Sequence, residues 1–212
     1  MRNRIGILLL VIGFSFFLWN TAMMNMQKQN VEHNPVKAEA IDHNWDDPIV
    51  EEPLKQDTDL INNEYSFHQG DQIGELTIPR IGNLFSIYYG TDKETLKKGV
   101  GLYESSHTAL PTEYKHTALA GHRDTVFSEL GNLEIGDRMY FVFDNIKYEY
   151  QIRDIWITDK EDRTVLVDKE TPTLTLTTCY PFDFIGPAPQ RYIIQSELVD
   201  KKVFHHLEDD AY

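Results

Sequence analysis

From Ile73 onward the chain is a succession of short runs rich in β-branched and aromatic residues, each stopped by a turn signal, and that texture admits few folds. The runs are GELTIPRI (74–81), LFSIYYG (84–90), KHTALAGH (115–122), DRMYFVF (137–143), IKYEYQIRDIWI (146–157), TLTLTT (173–178) and RYIIQSELV (191–199). Gly82-Asn83 and Asp144-Asn145 have the chemistry of tight turns between paired strands. Helical signals are sparse: one modest turn in ETLKKGVGLY (94–103) and a short helix expected in TVFSELGNL (125–133). Strands at this density predict an all-β sandwich or barrel.

The ends have a different texture. After Arg2 and Arg4, residues 5–27 carry no charge, and as a helix they reach about 34 Å against a hydrocarbon core of roughly 30 Å. WNTAMM offers no convincing pair of small residues for signal cleavage, so residues 1–27 are read as an uncleaved membrane anchor. The arginines before it favour an inside N-terminus, with the rest of the chain outside. Residues 28–72 hold three prolines and little sustained periodicity, which reads as an acidic linker with Trp45 solvated. The domain is expected over 73–203, followed by a polar tail at 204–212.

The formal net charge is −14, and residues 27–72 carry eleven acids against three lysines. With no basic stripe interleaved with aromatics, nucleic acid is excluded as a partner. No ordered run of oxygen ligands and no His-x-x-x-His pair appears, so neither a metal nor another cofactor is expected.

The chain has one cysteine, Cys179, so it forms no internal disulfide. An outward-facing lone thiol meets oxidants and calls for a purpose. Alternation puts Leu174 and Leu176 on the core face of its strand, and Thr173, Thr175, Thr177 and Cys179 on the other. Tyr180 and Pro181 then end the strand, an exit that suits a nucleophile. A thiol needs a base or cation nearby to ionise at neutral pH. Of eight histidines, His122 stands out because TALAGH carries an apolar strand into a glycine and leaves the imidazole at a strand exit. Arg191 opens its strand twelve residues after Cys179, across the Pro- and Gly-rich YPFDFIGPAPQ. If the two strands pair antiparallel, Arg191 lies close to Cys179.

TLTTC followed by RYII, preceded by LAGHRDTVFSELGNLEIGD, resembles the sortase family of membrane-anchored cysteine transpeptidases, and CYPFDFIGPAPQRYI is similar to the loop of class D sortases. The resemblance runs over most of residues 73–200. It implies a closed eight-stranded barrel outside the membrane of a Gram-positive envelope, with His122, Cys179 and Arg191 catalytic. It also implies cleavage of a Leu-Pro-x-Thr-Gly or Leu-Pro-x-Thr-Ala sorting signal after threonine and transfer to an amine of a peptidoglycan precursor. Thr177 and Thr178, next to the thiol, are candidates for lining the peptide groove. DDPI lacks the aromatic that follows proline in the lid motif of some relatives, so no lid is expected at Trp45–Pro48.

Two alternatives use the same residues differently. An extracellular cysteine protease would pass the thioester to water, and a membrane-anchored binding module would hold Cys179 as a structural residue. The Ser-His-Gly-Cys setting of L,D-transpeptidases is absent.

Overall fold

The computed structural model describes residues 2–28, 30–55, 65–183 and 186–204. An apolar helix, α1 (Arg2–Lys28), comes first, followed by β1 (Val31–His33) and α2 (Pro35–Glu39). Then come β2 (Gln72–Ile78), β3 (Asn83–Tyr89), α3 (Lys93–Lys98), β4 (Val100–Leu102), β5 (His116–Ala120), β6 (Arg138–Phe143), β7 (Ile146–Asp159), β8 (Thr173–Tyr180) and β9 (Gln190–Val203). The strands β2 to β9 lie in the order β3-β2-β6-β7-β9-β8-β5-β4, and pairing of β3 with β4 closes the sheet into an eight-stranded barrel. Closure removes the edges that an open sheet would leave unpaired. Leu76, Phe85, Leu119, Phe141, Leu176 and Ile194 fill the interior.

The turns follow their chemistry. Asp144 and Asn145 have φ of 49° and 58°, the left-handed pair that a two-residue hairpin requires between β6 and β7. The side chain of Asp92 accepts from the backbone N–H groups of Glu94 and Thr95 and so starts α3. The helix expected over 125–133 is instead a series of turns ending in a 3-10 turn at Leu130–Asn132. Phe127, Leu130 and Leu133 are all drawn into the core there, a spacing the looser turns satisfy.

Residues 30–55 depart most from expectation. They are not a solvated linker but a strap laid along the barrel. Val31–His33 pairs antiparallel with Phe85–Asn83, Ala38 is fully buried, and the Leu54 N–H donates to the Leu198 carbonyl at 2.7 Å. Its acids meet cations of β6 and β7: Asp42 with Lys147 at 2.7 Å, and Glu51 with Arg138 at 2.9 Å. Trp45 is half-buried under the Arg80 guanidinium, 5.7 Å from the ring centre, and not free in solvent. Those partners lie tens of residues downstream, which is why composition alone made the segment look solvated. The tail expected at 204–212 falls, beyond Phe204, outside the described residues.

α1 contains the one described helix long and apolar enough to cross a membrane, Arg4–Met23, with a mean hydropathy of 2.0 and none of it covered by the barrel.

Candidate active site

β8 lies between β9 and β5, and this neighbourhood assembles the site. β8 and β9 pair antiparallel in one unbroken register, in which Cys179 faces Arg191 and Tyr180 faces Gln190. On the other side β5 runs parallel to β8, with Ala118 beside Thr175 and Ala120 beside Thr177. The contact continues past the end of β5. The Gly121 N–H donates to the Thr177 carbonyl at 3.3 Å, and the Thr178 hydroxyl donates to the Gly121 carbonyl at 2.8 Å. Two residues beyond Ala120 and two beyond Thr177 stand His122 and Cys179. Neighbouring strands are about 4.8 Å apart, so the register sets Cys179 and Arg191 in one row, and the two Gly121 contacts bring the exit that carries His122 to the same end of β8. Alternation from Leu119 and Leu176, both in the core, turns that row to the outer face of the barrel.

The row sits in a defined frame. Cys179, His122 and Arg191 are all half-buried. Gly121 permits the tight exit from β5, because a Cβ there would lie 2.6 Å from Cδ2 of the buried Phe127 ring. The His122 carbonyl accepts from the Phe127 N–H at 2.8 Å and fixes the turn that follows. Tyr180, Phe182 and Tyr192 pack together at the base of the β8–β9 loop, with ring centres 5.2–6.0 Å apart. Arg191 donates from Nη1 to its own loop, to the Gln190 carbonyl at 2.9 Å and the Ala188 carbonyl at 3.4 Å.

Residues 76–199 match the Sortase domain family. This chain belongs to the sortase family. It is 41% identical to Sortase D of Bacillus subtilis (strain 168) over 148 residues, which cover 68% of this chain and 74% of that protein. The catalytic domain of B. anthracis SrtD shares 48% identity and a TM-score of 0.57, over 68% of this chain and 97% of that domain. A Clostridium perfringens sortase C, solved with the C-terminal cell wall sorting motif, shares 31% identity and a TM-score of 0.57, covering 63% of this chain and 73% of that one.

In this sortase the two candidate groove threonines differ. Thr177 is on the outer face with Cys179, and its hydroxyl lies 3.5 Å from that of Tyr103. Thr178 points inward and is 2% exposed, with its hydroxyl held by Gly121. Its position gives it the part of tying β8 to the exit that carries His122, not that of a groove lining. The threonine face of β8 is also less open than alternation suggested. Thr173 and Thr175 are as buried as Leu174 and Leu176: the Thr173 hydroxyl donates to the Thr171 carbonyl at 2.8 Å, and the His116 ring, itself bonded to Val167, lies on the Thr175 hydroxyl.

His116, which looks unremarkable at a strand start, anchors the segment that carries Val167. The Val167 carbonyl, 2.7 Å away, can only accept, so Nδ1 of His116 carries the proton and donates. Nε2 then accepts from the Thr175 hydroxyl at 2.8 Å. Burial holds the His116 pKa below its usual value and keeps the ring neutral. No sequence pattern pointed to this role, because Val167 is 51 residues away. Among the described residues, no three His, Cys, Asp or Glu side chains are grouped to hold a metal ion.

Proposed function

We propose that this sortase is a membrane-anchored cysteine transpeptidase of the class D type. It cleaves a Leu-Pro-x-Thr-Gly or Leu-Pro-x-Thr-Ala sorting signal after threonine and transfers the protein to an amine of a peptidoglycan precursor. The observation that supports this reading is the outward row of Cys179 and Arg191, with the strand exit that carries His122 bonded to the same end of β8. The sorting motif bound to the C. perfringens sortase C supports the same class of substrate. The apolar Arg4–Met23 helix supports a single membrane span with the N-terminus inside and the barrel outside.

The chemistry follows from the row. Cys179 attacks as the thiolate, with His122 as the imidazolium. Sγ bonds to the threonine carbonyl carbon, and the oxygen takes the negative charge. Arg191 swings from its loop carbonyls to donate to that oxygen, a contact typically worth about 3–4 kcal/mol for a well-placed donor. The C–N bond breaks as His122 gives its proton to the departing amine, leaving a thioester and a neutral imidazole. The acceptor amine then attacks the thioester, His122 takes its proton, and the Cys179 thiolate departs. Ala120 and Thr177, paired small residues on the outer face of β5 and β8 beside the thiol, flank the place where the threonine of an extended peptide lies.

The test is incubation of the full chain with a panel of sorting peptides, with and without an added amine, beside Cys179→Ala. The expected result is a ligated peptide only when amine is present and a thioester adduct on Cys179. A Cys179→Ala protein that ligates as well as the parent sinks the reading. Free acid as the sole product at saturating amine makes the chain a hydrolase instead.

A further inference from the structure

The loop between β8 and β9 joins the nucleophile to the arginine, and one side chain from outside it bonds to both of its arms. Arg123, the residue after His122, donates from Nη1 to the Pro181 carbonyl at 2.9 Å and from Nη2 to the Gly186 carbonyl at 2.8 Å. Pro181 lies just past Cys179, and Gly186 lies on the arm that returns to Arg191. Among the described residues, other contacts hold the ends of the loop. Phe182 packs on Tyr192 at the first arm, and the Lys160 N–H holds the Pro189 carbonyl at the root of the second, at 3.1 Å. The middle, at Gly186, is held by the guanidinium.

The returning arm in turn directs Arg191, whose guanidinium rests on the Ala188 and Gln190 carbonyls. Moving that arm moves the acceptors that aim Arg191. A planar fork with two fixed N–H directions can bridge two carbonyls at once, whereas a single ammonium on a flexible stem does so poorly. We infer that Arg123 is a positioning residue. It ties the turn carrying His122 to the loop between Cys179 and Arg191, and thereby sets the direction from which Arg191 meets the substrate carbonyl. This inference rests on the transpeptidase reading for its consequence in turnover, and on the hydrogen bonds alone for its consequence in loop order.

The experiment compares the full chain in detergent with Arg123→Gln, Arg123→Lys, Arg191→Ala and the Arg123→Gln/Arg191→Ala double variant, in a ligation assay with sorting peptide and amine. Arg123→Gln is expected to lower kcat about tenfold, within the range set by mispositioning a reacting group, with KM changed less than about twofold. Arg123→Lys is expected to recover only part of that loss. In the Arg191→Ala background, Arg123→Gln is expected to cost less than about twofold more, because residues acting through one another are not additive. Parent-like kcat in Arg123→Gln, or an undiminished loss in the Arg191→Ala background, overturns the inference.

Limited proteolysis of the 181–189 loop is the second readout, independent of turnover. Arg123→Gln should be nicked several-fold faster than the parent at an unchanged thermal midpoint. If the parent makes no product that depends on Cys179, the transpeptidase reading fails, and nicking alone then decides the clamp. Equal nicking in parent and variant overturns it.

Discussion

Gly121→Ala is the substitution that most directly links packing to chemistry in this sortase. A Cβ on residue 121 would lie 2.6, 2.8 and 2.9 Å from Cδ2, Cγ and Cε2 of Phe127. Carbon atoms settle at about 3.5–4.0 Å, so roughly 1 Å of movement must be found. The ring cannot easily supply it, because Phe127 is fully buried and packs edge to face on Phe85, with centres 5.7 Å apart. The backbone at Gly121 and His122 must then move away from Phe127. Overpacking of this kind costs about 1–3 kcal/mol, or about 2–12 °C in thermal midpoint for a chain of this size. A displacement of about 1 Å in a reacting group lowers turnover about 100-fold. The assay is ligation rate and thermal midpoint for Gly121→Ala and for Gly121→Ala/Phe127→Leu, the second of which removes ring atoms and should restore much of both. A Gly121→Ala protein with parental turnover would refute the claim that this glycine sets His122 against Cys179, even if its midpoint fell.

Two further outcomes are expected. Arg138 is 2% exposed and bridges Glu149, itself 7% exposed, to Glu51 of the strap. Arg138→Met leaves the Glu149 carboxylate buried without its hydrogen-bonded cation and should cost about 3–5 kcal/mol in urea unfolding at pH 7, whereas Arg138→Met/Glu149→Leu should return most of it. Burial already raises the Glu149 pKa, and losing Arg138 raises it further, so the native state binds the extra proton and the deficit should shrink as pH falls from 7 towards 5. A deficit that does not change with pH would remove Glu149 as its cause. For His116 the sign is opposite in origin. Its folded pKa is lowered by burial, so the unfolded chain takes up the proton first as pH falls through about 6.5. Stability from this group is therefore intact above that pH and declines below it, and His116→Gln should flatten the decline in denaturant midpoints measured from pH 8 to 5. An unchanged slope would exclude His116 as the titrating group.

The barrel was legible in the sequence because strands announce themselves locally. Period-two runs, Gly82-Asn83 and Asp144-Asn145 mark β2, β3, β6 and β7 without reference to anything distant. The pairing of Cys179 with Arg191 was also legible, since a loop rich in Pro and Gly between two strands makes their antiparallel pairing the simple outcome. His122 could be picked out by its strand exit, but its partner strand could not. A parallel neighbour 57 residues away, as Ala120 is to Thr177, leaves no local mark.

What the sequence determined by itself was each segment's own preference: strand, turn, apolar helix, and a thiol placed on the outward side of its strand. Tertiary structure alone decided which cation meets which acid, so that residues 30–55 are pinned to the barrel through Lys147 and Arg138. It alone decided that Thr178 belongs to Gly121, His116 to Val167, and Arg123 to the loop after the thiol. The physical reason is the range of the forces involved. Backbone sterics and side-chain periodicity act over a few residues, whereas ion pairs, close packing and hydrogen bonds to loop carbonyls depend on distances that only the closed barrel sets.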